Sequence, residues 1–287
     1  MLKNIISDCP RLQSRKCSCY IYTLALFHLD LIPTSLPKIS KDCTVKEMLL
    51  PVLLLLLAAA LQAFLGQGNS ASVSKMTPEK QKEILDAFNA IRRDVKPTAA
   101  NMLKMTWSDE ATETASRWAS KCQFRNSPIE ERMVGGFACG ETLSQTVTAN
   151  SWTDIIKLWS KSKTNFKYGI GPVDPRKSIY TYTQLIWYNS HKVGCAVAYC
   201  PKNTFPYLFL CHYCPSGNAQ DKIATPYKEG LPCADCPSDC DNKLCTKACE
   251  YMNSHNQCQD LKDRFSCESG FMNDFCKATC KCTTEII

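Results

Sequence analysis

Histidine is scarce in this 287-residue sequence, with four in all: His28, His191, His212 and His255. No His-Glu-x-x-His pattern occurs and no Gly-x-Ser-x-Gly turn, so neither a zinc-protease nor a serine-hydrolase arrangement has the residues it needs. There is no dense Lys/Arg run interleaved with aromatics, which leaves nucleic-acid binding without its electrostatic footprint. Asn-x-Ser/Thr sequons are absent too, so N-glycosylation is not expected. The longest apolar stretch, Leu49 to Leu65, covers 17 residues and is interrupted by Pro51 and Gln62. A bilayer span takes about 20 residues, so no stable membrane span is expected.

What the chain has in excess is cysteine, 20 residues, a number that a reducing compartment would not keep as free thiols. Cys9, Cys17, Cys19 and Cys43 precede residue 48; the other 16 lie between Cys122 and Cys282, an even count that suits eight bridges. Ten of these fall between Cys233 and Cys282, and six are spread from Cys122 to Cys214. One region can build a core, whereas the other is a small module that needs staples. The apolar run after Met48 ends in Gly66-Gln67-Gly68-Asn69-Ser70, as a secretory signal does. We expect a signal peptide over 48–71, an upstream extension foreign to the protein over 1–47, and a secreted, extracellular product.

Charge separates the same two regions. From residue 233 onward there are six basic and nine acidic side chains, while the segment between residue 48 and that point carries about +7. Weak attraction to acidic surfaces is the most this allows.

Thr77-Pro78-Glu79 reads as a helix start, with a capping hydroxyl and proline at the first position. Ile84, Leu85, Phe88 and Ile91 then mark one buried face. Ser108-Asp109-Glu110 opens a second helix, whose stripe is Ala111, Ala115, Trp118 and Ala119; Trp152, Ile155, Ile156 and Trp159 mark a third. Three β-rich runs follow, Tyr182 to Trp187, Cys195 to Tyr199 and Tyr207 to Tyr213. Helices first and strands later give an α+β class with layered packing.

Four motifs in order, Asn101-Met102-Leu103-Lys104-Met105-Thr106-Trp107, Cys139-Gly140-Glu141, Tyr182-Thr183-Gln184-Leu185-Ile186-Trp187 and Cys211-His212-Tyr213-Cys214-Pro215-Ser216-Gly217-Asn218, carry a family resemblance. Together with the 16 cysteines, they make residues 75–287 similar to the cysteine-rich secretory proteins of the CAP superfamily. Ala224-Thr225-Pro226-Tyr227-Lys228 and Ile286-Ile287 lean toward venom-type rather than reproductive-tract members. The resemblance implies an α-β-α sandwich over 72–232, a disulfide hinge over 233–248, and an ion-channel-regulator module, toxin-like and helical, over 249–282. It also implies the pairings Cys122–Cys200, Cys139–Cys214 and Cys195–Cys211 in the sandwich, then Cys233–Cys240 and Cys236–Cys245 in the hinge. In the module it implies Cys249–Cys282, Cys258–Cys276 and Cys267–Cys280. Sequence alone does not choose among the connectivities.

Relatives commonly display two histidines and two glutamates in a sandwich cleft, and some bind zinc there. Position by position, this chain offers Asn126, Glu141, Ser162 and Thr181. One carboxylate beside an amide and two hydroxyls is a poor zinc donor set, so the expectation is a degenerate site, no metal, no cofactor and no catalytic residue. Glu141 is expected as a partnerless buried carboxylate held by backbone amides, His191 as a solvated loop histidine, and His212 as a structural one. The leading reading is a secreted, non-enzymatic, monomeric interaction protein whose terminal module modulates a cell-surface partner, an ion channel. The competing reading is a lipid or sterol carrier using the sandwich. Between Cys267 and Cys276 the loop has two acids and no lysine, so its candidate target contacts are apolar: Phe271, Met272 and Phe275.

Overall fold

The computed structural model describes residues 71–287 apart from Asn256, together with Leu53 and Leu57. The extension expected over 1–47, and the signal segment over 48–71 but for those two leucines and Ala71, lie outside the described residues. Among the described residues, no helix is long and apolar enough to cross a membrane.

The first helix, α1 (Pro78–Arg93), starts where Thr77 accepts a hydrogen bond from the Lys80 amide at 3.4 Å, with proline at the first position and Arg92 and Arg93 in the last turn. Helix α2 (Asp109–Ala119) is capped by Ser108 and α3 (Trp152–Ser160) by Ser151, each side chain accepting from an amide three residues on. The main sheet runs β1 (Ser72–Val73), β4 (Lys192–Tyr199), β5 (Tyr207–Cys214), β3 (Gly140–Thr146), antiparallel throughout; β2 (Thr106–Trp107) joins β4 in parallel.

Strand alternation sorts the sheet's two faces. Val193, Cys195, Phe209, Cys211 and Tyr213 face one way, into a core with Ile84 and Phe88 of α1 and Trp152, Ile155 and Ile156 of α3. Ala196, Ala198, Leu208 and Leu210 face the other, against Ala115, Trp118 and Ala119 of α2. Helix, sheet, helix is therefore an α-β-α sandwich. The approach of α2 is close at Gly194, where a Cβ would stand 2.1 Å from the Thr112 backbone nitrogen.

One expectation fails here. The run Tyr182 to Trp187 is not a strand; it enters a short helix, α4 (Tyr180–Leu185), that stops before Trp187. Tyr182, Leu185 and Ile186 fill the core beside α1 and α3, while the Thr183 hydroxyl donates to Asn218 Oδ1 at 2.6 Å. Aromatic and β-branched residues favour strands only weakly, and packing on both sides of this segment overrides that preference.

The hinge is a two-residue hairpin, β6 (Cys240–Asp241) with β7 (Leu244–Cys245), and its turn residues Asn242 and Lys243 are both left-handed. It is hydrogen-bonded to the sandwich: the Cys245 amide donates to Met102 O, the Lys104 amide to Cys245 O, and the Asp235 amide to Ala100 O. Leu103, Cys233, Cys236, Cys245 and Ile286 form a small core of their own there. The terminal module has three short helices, α5 (Cys258–Lys262), α6 (Gly270–Phe275) and α7 (Lys277–Lys281), around Met272, Cys258 and Cys276. Its last residues return to the hinge and sandwich, with the Cys249 amide donating to Ile286 O and the Tyr188 hydroxyl to Ile287 O at 2.6 Å.

Beneath this junction lies Arg92, fully buried and, among the described residues, in no ion pair with a carboxylate. Its guanidinium donates to the carbonyls of Leu103, Leu185, Trp187 and Tyr188, all at 2.8–2.9 Å. One side chain thus serves four backbone acceptors; Tyr188 O and Trp187 O also accept from the Leu103 and Ser190 amides, and Arg92 fills their second lone pair.

Candidate functional site

The polar site of the sandwich is built by register. Strand β3 pairs with β5 so that Glu141 stands opposite His212, and both side chains point to the α2 face. His212 Nε2 donates to Glu141 Oε2 at 2.9 Å, and its Nδ1 lies 2.7 Å from the Thr114 hydroxyl of α2. Glu141 Oε2 also accepts from the Ser127 hydroxyl at 2.7 Å, and Oε1 from the Ser127 amide and Asn126 Nδ2, both at 2.9 Å. Arg132 closes the rim by donating to the carbonyls of Cys139 and Ser127. Glu141 is thus neither partnerless nor held by backbone amides alone. Burial pushes its carboxyl up, but the hydrogen bonds from His212 and Ser127 outweigh burial and hold it below the usual carboxylate range.

This arrangement decides what the site can do chemically. Both carboxylate oxygens are occupied by protein donors, and the side chain of Glu141 is almost wholly buried. The Asn126 amide turns a donor toward Glu141, not a lone pair. Ser162 and Thr181 are not brought to it: Ser162 Oγ accepts from the Tyr182 amide at 3.1 Å, and no hydrogen bond links either residue to Glu141 among the described residues. Zinc needs imidazole, thiolate or carboxylate donors with free lone pairs; the residues that stand where relatives hold zinc do not suit it.

His191 is not the solvated loop residue that its polar neighbours suggest. It is half-buried at the wall between two clefts of about 370 and 380 Å³, which separate the sandwich from the hinge and module. Its Nδ1 donates to Asn189 O at 3.0 Å, and burial pulls the imidazole down from its ordinary value.

On the terminal module the three candidate contacts part company. Phe271 and Phe275 are 45% and 47% exposed, and their rings lie 5.2 Å apart. Met272 is fully buried between Cys258 and Cys276 and packs inside the module, so it is no surface contact. Helical spacing explains this: on α6, residue 272 turns inward while 271 and 275, four apart, share the outward face. His255 stands edge-on to Phe271 with ring centroids 6.0 Å apart, an addition that sequence spacing does not suggest.

Disulfides fix these pieces. In the sandwich the bonded pairs are Cys122–Cys200, Cys139–Cys214 and Cys195–Cys211. In the hinge they are Cys233–Cys240 and Cys236–Cys245. In the module they are Cys249–Cys282, Cys258–Cys276 and Cys267–Cys280. Among the described residues no cysteine is free.

Comparison with known proteins adds to this geometry. The family model described as the cysteine-rich secretory protein family matches residues 85–213, and the model described as Crisp matches 233–287. Among solved structures, Na-ASP-1 is 24% identical, with a TM-score of 0.50 over 75% of this chain and 52% of that one. NaASP2, solved with Zn2+, is 25% identical, with a TM-score of 0.49 over 60% of this chain and 97% of that one. The venom allergen-like protein 4 of Schistosoma mansoni is 22% identical, with a TM-score of 0.45 over 56% of this chain and all of that one. The two family matches divide where the sandwich gives way to the hinge, and by them the chain belongs to the cysteine-rich secretory protein family.

Proposed function

We propose that this protein is secreted, has no enzymatic activity and needs no metal, and that it modulates a cell-surface ion channel through its terminal module. The observation that carries the reading is the Phe271–Phe275 pair, flanked by His255 and held outward on a helix whose ends are fixed by disulfides. Aromatic side chains held rigid in this way lose little entropy on docking, and they are enriched at the centres of interfaces. The same loop carries Glu268 and Asp274 and no lysine, so nothing there would enter a cation pore as a plug; a carboxylate at such a mouth is repelled. Binding is therefore beside the pore, and inhibition is incomplete at saturation and insensitive to voltage.

Recording purified protein against a panel of cation channels tests this. Phe271→Ala should weaken the effect about tenfold, the scale of one interface anchor, with the fold intact by circular dichroism. Complete, voltage-dependent block relieved by external potassium would overturn the reading, as would unchanged potency in the variant.

A further inference from the structure

The +7 of the sandwich region is not evenly spread. Between Ile155 and Thr181 the sequence has six basic side chains, Lys157, Lys161, Lys163, Lys167, Arg176 and Lys177, against one acid, Asp174. Asp174 is taken up by Arg176 at 3.0 Å and Lys177 at 3.9 Å. Lys163 reaches Asp94 only at 3.9 Å, and among the described residues Lys157, Lys161 and Lys167 have no carboxylate within ion-pair distance.

The same segment exposes apolar side chains that the fold does not use. Phe166–Lys167 and Gly171–Pro172 form a short hairpin, with Phe166 packed inward against the core. Period-two alternation then turns Lys167 and Val173 outward. Ile170 sits at the tip, between Gly169 and Gly171, whose φ values of +77° and +96° make the sharp turn. Ile170 is 63% exposed, Val173 65% and Tyr180, at the start of α4, 51%. Nor is the hairpin loose: Asn165, buried at its base, donates to the carbonyls of Asp174 and Lys177 and accepts from the Asp174 amide at 2.8 Å.

We propose that this hairpin is a docking surface for an anionic lipid bilayer, with Ile170, Val173 and Tyr180 entering the interface and the surrounding lysines meeting the headgroups. Exposed apolar side chains on a rigid tip, in a segment that also carries unpaired exposed lysines, combine the two contributions that hold a peripheral protein at a membrane. A sulfated polysaccharide would use the lysines but has no place for Ile170 and Val173, which is why the bilayer is the better occupant. The inference is independent of the channel reading, since it concerns a hairpin of the sandwich and no residue of the terminal module.

Co-sedimentation of the full disulfide-bonded protein with vesicles tests it, using phosphatidylserine–phosphatidylcholine against pure phosphatidylcholine, at low and high salt. Binding should need phosphatidylserine and fall with salt. Ile170→Ser with Val173→Ser should lower partitioning about tenfold while leaving its salt dependence unchanged. Lys161→Glu with Lys167→Glu should lower it by at least about tenfold and flatten the salt dependence. Lys277→Glu, on the terminal module, should change neither. All these are surface changes, and unchanged melting would show that the variants fold. Absence of binding to anionic vesicles would overturn the proposal, as would equal binding by the serine variant. Retention on heparin by both wild type and serine variant, without vesicle binding, would assign the patch to a polysaccharide and overturn it equally.

Discussion

In the sandwich, Ile84, Phe88, Trp152, Ile155 and Leu185 bury large apolar side chains in one continuous core; among the described residues of the terminal module the apolar side chains buried with the cysteines are Met272 and Ala278. The bridges differ accordingly. Cys195 and Cys211 are already register partners on paired strands, so their bond ties what hydrogen bonds and packing already hold together. Cys249–Cys282, Cys258–Cys276 and Cys267–Cys280 staple a module whose helices are of five or six residues and have little apolar core to hold them together. Equal chemistry thus carries unequal weight, and a count of disulfides says little about which region depends on them.

The largest test of that contrast is graded reduction. Each module bridge contributes about 2–4 kcal/mol, and Cys249, Cys267 and Cys280 are half-buried where Cys195 and Cys211 are sealed. Alkylation and mass spectrometry at rising reductant should label 249–282 first, while the helical signal of the sandwich persists. Simultaneous labelling of both regions would abolish the distinction.

Next comes Arg92→Met, which keeps bulk and removes the donors. Four buried carbonyls lose a charged donor, those of Trp187 and Tyr188 keeping one backbone amide each, and chemical denaturation should show a loss of about 3–5 kcal/mol. Because two of those carbonyls belong to Leu103 and Tyr188 under the hinge, hydrogen exchange at the Cys245 amide should speed up as well. Protection there matching wild type would mean that the hinge stands without the platform beneath it.

Met272→Ala probes the other side. The module has one large apolar side chain in its core, and truncating it should cost about 2–4 kcal/mol. That cost should be confined to residues 249–287, with the sandwich midpoint unmoved in a domain-resolved melt.

The smallest effect belongs to Glu141. Its folded carboxyl lies below the ordinary value of 4.5, so its contribution is complete above that value and is lost as pH falls through the folded one. The stability advantage of wild type over Glu141→Gln should therefore shrink on acidification. An advantage that grows with acid would mean the sign is wrong.

What the sequence reveals follows the range of the interaction. Helix starts at Thr77 and Ser108 are legible because a cap is a contact between neighbours. The helix at Tyr180–Leu185 is hidden, since its residue types favour a strand and only the surrounding core decides otherwise. Asn126, Glu141, Ser162 and Thr181 can be aligned on a motif, but the pairing of Glu141 with His212 depends on a strand register 71 residues apart, which no local pattern fixes. Phe271, Met272 and Phe275 read as one apolar group; the helix phase that separates the inner one from the outer two appears only once α6 has its place.

The hinge has a mechanical consequence. A slack tether would let the module sweep a wide cone, and whatever it gripped would feel only the grip. The Cys245 amide donating to Met102 O, the Lys104 amide to Cys245 O and the Asp235 amide to Ala100 O make the connection a splint. The module and the sandwich turn as one rotor, and torque applied to one is felt by the other. A surface held by Phe271 therefore has the whole sandwich standing behind that grip at a fixed angle, as a rigid obstacle that shadows its neighbourhood as well as the spot it touches.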